Sequence, residues 1–173
     1  MRLLILISCL FFASCGSDIS SPKHSDGKAY KDALISAIES ADKITVTEHS
    51  SKLDLLDDPN SIQSVAEDIE YQVVSLDGAS KKKFSALMHD MNEKTQNSFP
   101  GCIFQAHHTV RFFSGERVTS TMRICFECGQ VQWDGASRVP PRALYSALSD
   151  FILSVGFKPK QDWRARARIA KAK

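Results

Sequence analysis

The strongest pattern in the chain is a pair of alternating runs. In 102–113 every second position is Cys102, Phe104, Ala106, His108, Val110 or Phe112, and in 118–128 the same parity gives Val118, Ser120, Met122, Ile124, Phe126 and Cys128. Successive strand side chains point to opposite faces, so each run has one mostly apolar face, as a half-buried antiparallel strand requires. Pairing the runs around a loop at 114–116 sets Phe112 opposite Val118, Ala106 opposite Ile124, Phe104 opposite Phe126 and Cys102 opposite Cys128. A one-residue slip would turn apolar positions against polar ones, so this parity is well specified. On the other face stand Gln105, His107, Arg111, Arg123, Cys125 and Glu127, a polar patch carrying one thiol. His108, on the apolar face, reads as a core histidine with one hydrogen bond.

Elsewhere the period lengthens. Tyr30, Ala33, Leu34, Ala37, Ile38 and Ala41 recur at helical spacing in 28–41, with Ser25 or Asp26 before them as a cap. The β-branched stretch "KITVTEHS" predicts a strand over 44–47, and "EYQVVSLDG" a second one ending at Asp77 and Gly78. Phe84, Leu87, Met88 and Met91 form the stripe of a helix over 79–94, and a short helix is expected after Asn60. The stretch "GQVQWDG" either continues the second strand of the hairpin past a bulge at Gly129 or begins a third. Pro140 and Pro141 suit a helix start, and Leu144, Ala147, Leu148, Phe151, Ile152 and Val155 form the closing helix, ended by Gly156. The expected fold is α+β: an antiparallel sheet of four to five strands with two to three helices packed on one face.

The amino terminus has a different logic. Arg2, an apolar run from Leu3 to Phe12, and small residues at Ala13 and Ser14 have the layout of an export signal, shorter than the ~20 apolar residues a membrane span needs. The ending "FASC" at 12–15 resembles the lipobox of bacterial lipoproteins. That resemblance implies cleavage before Cys15, a diacylglyceryl thioether on its sulfur and an acylated amino group, and more than one acyl chain anchors stably. It also implies a place in the bacterial cell envelope, the outer membrane facing the periplasm being favoured by Gly16 after the cysteine. Residues 1–14 are then a signal peptide, 15–27 a polar flexible tether, 28–157 a single domain and 158–173 a basic tail. Membrane lipid held through Cys15 is one expected partner and another envelope protein a second. Export removes the chain from nucleic acid.

Hydrophobic residues make up 43% and charged residues 24% of the 173, so the chain can build one ordinary core. The near-neutral total hides a division. The tail from Lys158 carries seven basic residues against Asp162, a net of +6. Trp163, Arg164, Arg166 and Arg168 therefore stand as a surface-binding segment, set against the plainer reading of a solvated tail.

Three cysteines remain once Cys9 leaves with the signal and Cys15 takes lipid. Opposed in the hairpin register, Cys102 and Cys128 are the leading disulfide. Cys125 to Cys128 would need a turn and a following helix to act as a redox pair. Cys125 with His107 and His108 is the alternative, a thiol or metal site, although His107 lies ~16 Å along an extended strand from Cys102. The same spacing is similar to that of secreted bacterial proteins to which no activity is attached. No serine-hydrolase elbow, zinc-protease helix, phosphate loop or calcium loop occurs, so no catalytic residue and no cofactor is assigned. The reading is a lipid-anchored envelope protein with a binding or structural domain; the alternative is a thiol redox or metal-handling protein using Cys102, Cys125 and Cys128.

Overall fold

In a computed structural model, residues 27–55, 68–95, 101–137 and 139–172 are described. Helix α1 (Gly27–Ser40) leads into strand β1 (Lys43–His49) and a 3-10 turn at Lys52–Leu55. Strand β2 (Glu70–Ser75), helix α2 (Gly78–Asp90) and a meander of β3 (His108–Ser114), β4 (Arg117–Cys125) and β5 (Gln130–Trp133) follow. Helices α3 (Leu144–Ser154) and α4 (Trp163–Lys171) complete the chain. All strand pairs are antiparallel, in the order β2-β1-β3-β4-β5, so the α+β class is as expected, but the described residues form four helices rather than two to three, and these do not all pack on one face. The signal, the tether before Gly27 and the short helix expected after Asn60 fall outside the described residues, apart from the last two residues of the latter stretch.

The core forms where the apolar parities meet. Ile44, Val46, Val110, Phe112, Met122 and Ile124 face Tyr30, Leu34 and Ile38 of α1, Phe84 and Met88 of α2, and Leu148, Phe151 and Ile152 of α3. Phe84 and Phe151 stack with centroids 3.8 Å apart. Helix α2 starts at Asp77, whose carboxylate accepts from Ser80 N at 2.7 Å, and stops at Asp90 rather than Lys94 because Met91 turns extended (ψ 131°). Lys81, expected to be merely solvated, donates to the carbonyls of Glu39 and Ala41 at the end of α1, at 3.1 and 2.7 Å. Gly156, with φ 88°, follows α3 as expected.

The hairpin register differs from the expected one by two residues. Val110 pairs with Met122 and His108 with Ile124, and a bulge then brings Phe113 opposite Val118. A two-residue turn at Gly115 (φ 58°) and Glu116 closes the hairpin, and the bulge absorbs Thr119, whose hydroxyl donates to Phe112 O at 3.1 Å. An offset of two keeps the side chains of 120–124 on their expected faces, while the bulge turns Val118, expected on the apolar face, to the outer face opposite Phe113, where it is 43% exposed. Strand β3 begins at His108, so 101–107 is a loop, and Cys102 and Cys128 bridge from that loop to the β4–β5 turn with Cα atoms 6.0 Å apart. The pairing expected from strand opposition is present, but it closes a loop. Gly129 takes φ 56° in that turn, and β5 is a third strand of the meander.

The bridge spans 26 residues of sequence, a separation for which loss of the crosslink costs about 3.5 kcal/mol. Replacing Cys102 and Cys128 together by alanine should lower the urea midpoint accordingly without moving the folded-state circular dichroism; an unchanged midpoint would show that the bridge constrains nothing.

Candidate functional site

Two groups of polar side chains stand out, one enclosed and one open. The enclosed group lies where the end of β1, the start of β3 and the 3-10 turn are capped by α4. Asp162 caps that helix, accepting from Ala165 N at 2.9 Å, and Trp163 and Ala167 are its buried side. Residues 163–171 are thus a docked helix and part of the fold, not a separate tail. Glu48, 2% exposed, accepts from Arg166 Nη2 at 2.6 Å and from Gln161 Nε2 at 3.0 Å. Arg166 also lies over the Tyr71 ring, 4.4 Å from its centroid.

The histidines belong to this enclosed group. His107 donates from Nε2 to Asp54 Oδ2 at 3.0 Å and stacks on the Trp163 indole, 4.2 Å between centroids and 2° between planes. His49 sits between Ser50 O and Thr109 Oγ1, each 2.8 Å away. A carbonyl only accepts, so Nδ1 carries the proton and neutral Nε2 accepts from the Thr109 hydroxyl. His108 is fully buried beside Phe126, Phe157 and Trp163, and neither ring nitrogen has a hydrogen-bond partner. The expected single hydrogen bond is not made: the nearest carboxylate oxygen, Glu48 Oε1, is 3.8 Å away and accepts from Gln161, while Arg166 holds Oε2. Burial, with His107, His49 and Arg166 nearby, pushes the His108 pKa down to about 3. Burial also lowers that of His49, partly offset by the bond to Ser50.

Cys125, His107 and His108 do not assemble as a ligand set. Cys125 is 0% exposed, and among the described residues no group of three or more His, Cys, Asp or Glu is placed to hold a metal ion. Of the proposed surface-binding residues, Trp163 is buried and Arg166 is engaged with Glu48, leaving Arg164 and Arg168 exposed.

The open group lies on the face of the sheet turned away from the core. Strand register sets Thr47, Thr109, Arg123 and Gln132 in one row across β1, β3, β4 and β5, and Thr45, Arg111 and Thr121 in the next. Arg111 and Arg123 are therefore diagonal neighbours. Arg111 donates from Nη1 to Thr47 Oγ1 at 3.1 Å and lies 4.0 Å from Glu70 Oε1. Arg111, Arg123, Thr121 and Glu70, with His49, Asp68 and Thr109, line a cavity of about 190 Å³. Arg123 and Thr121 line a second cavity of about 500 Å³ that runs round β5 to Tyr30, Val131, Trp133, Ala136 and Pro140.

The second cavity has an aromatic wall. Tyr30 meets Trp133 edge-on at 5.2 Å, and its buried hydroxyl has no hydrogen-bond partner. Burial raises the Tyr30 pKa far above the usual phenol value, so the group stays an O–H donor. Trp133 donates to Ser120 Oγ at 3.3 Å and is held from the other side by Gly135, where an added Cβ would overlap the indole.

Of the patch expected on this face, Arg111 and Arg123 remain, while His107 and Cys125 are buried. The alternating pattern gave no sign of Tyr30, which reads as core, nor of Asp68 and Glu70 from the distant β2 edge. No protein-family model matches the chain, and no curated protein or solved structure matches it either.

Proposed function

We propose that the protein is a lipid-anchored component of the bacterial cell envelope, attached through Cys15 and facing the periplasm from the outer membrane, with its α+β domain acting as a binding module. One observation carries the binding role: Arg123 stands exposed on the open sheet face and lines two cavities, one on that face and one running round β5, while Cys102, Cys125, Cys128, His107 and His108 are bridged or buried. That contrast weighs against thiol redox or metal handling. The exposed side of α4, with Arg164, Arg168 and Lys171 around Ile169 (63% exposed), is the part of the basic segment that complements an anionic headgroup layer.

Anchoring has a direct test. In cells fed an alkyne analogue of palmitate, the protein should take up label and sediment with membranes, and Cys15→Ser should lose both. An unlabelled native protein, or label retained by Cys15→Ser, would refute the lipoprotein reading.

A further inference from the structure

We infer that the paired cavities around Arg123 form one site for a short zwitterionic peptide bearing an apolar side chain. The inference rests on the binding-module reading above and names its ligand class. The smaller cavity mixes signs, with Arg111 and Arg123 facing Asp68 and Glu70. A polyanion such as phosphate would meet the two carboxylates, and a simple cation the two guanidiniums. A ligand carrying one charge of each sign at a short separation satisfies both.

The larger cavity supplies what such a head group lacks. The apolar part of its lining, Val131, Trp133, Ala136 and Pro140, suits an aliphatic or aromatic side chain, while Gln132 and Asp134, the latter accepting from Thr121 N, make the rest polar. The Tyr30 ring adds to this wall, meeting Trp133 edge-on. Arg123 lines both cavities, so a carboxylate there leaves the ammonium toward Asp68 and Glu70 and the side chain toward Trp133. Arg123 has donors to offer such a carboxylate because guanidinium presents five N–H groups in a planar fork. No bond is made or broken in this assignment.

The test is a titration of the mature, lipidated chain in detergent micelles with alanyl-leucine, read from the amide shifts of Thr109, Thr121 and Arg123 and the Trp133 indole. Saturable shifts at these positions are expected. Acetylating the peptide amine, amidating its carboxylate or replacing Arg123 by methionine should each weaken binding by about tenfold or more, the scale of one lost charge-assisted hydrogen bond. Lys83→Gln, at an exposed position of α2, should leave affinity unchanged. Absence of saturable shifts, equal binding of the blocked peptides, or full affinity in Arg123→Met would each overturn the assignment. Palmitate labelling of the same preparation separates that failure from a failure of anchoring, and folded-state amide dispersion of Arg123→Met separates lost binding from lost fold.

Discussion

Arg166→Ala is expected to destabilise the protein by about 3 kcal/mol, measured by urea unfolding, and to release α4 to hydrogen exchange before the sheet. The reason is the partner left behind. Glu48 is 2% exposed and opposes His108 across β1 and β3, so without the guanidinium its carboxylate retains only Gln161. Breaking a buried ion pair by removing one member costs about 3–5 kcal/mol, and the lower end applies because the Arg166 side chain is one-third exposed. Replacing both Glu48 and Arg166 by leucine should recover much of the loss, since no charge is then stranded. If Arg166→Ala unfolds like the native protein, the docking of α4 does not depend on this pair.

The second large effect is acid destabilisation through the buried histidines. His108 binds a proton in the unfolded chain at its ordinary 6.5 but in the folded protein only near 3. The unfolded state therefore carries the extra proton between those values. Stability is full above about pH 6.5 and falls toward pH 3 by about 1.4 kcal/mol per pH unit for this one group. His49 is shifted in the same direction and adds to the slope. Around His108 stand Glu48 at 3.8 Å, His107, His49 and Arg166; the three bases disfavour a charge on its ring. Urea midpoints followed from about pH 7 to about pH 4 should fall steeply, and His108→Leu should flatten the fall by about half while raising stability at the acid end. An identical slope in His108→Leu would place the titration elsewhere.

The outcome at the hairpin shows what a sequence pattern carries. Period-two alternation specifies which face a side chain takes, so Ile124, Met122 and Val110 lie in the core and Arg111 and Arg123 outside it even though the register is offset by two. Alternation does not say where a strand starts. His107 and Cys102 continue the pattern of β3 but lie in the loop before it, where 101–107 leaves regular pairing and the disulfide closes the loop. The same limit hid the enclosed cluster. Its members, Glu48, Asp54, His107 and Arg166, come from four separate segments, and no local spacing signals that an arginine in a basic run will be used on a strand glutamate. The run from Lys158 read as a surface feature because charge dominates it, yet Trp163 and Ala167, four apart, were the sign of a helix with a buried side.

A stapling role for Cys102 and Cys128 leaves binding to the open sheet face, as proposed above. The thiol state of the protein as taken from cells decides this, using alkylation before and after denaturation followed by peptide mapping. Peptides joining Cys102 to Cys128 are expected, with a Cys125 thiol that resists alkylation until the fold is opened. Rapid alkylation of native Cys125, or a Cys125 to Cys128 link, would contradict it and return the cysteines to the centre of the protein's function.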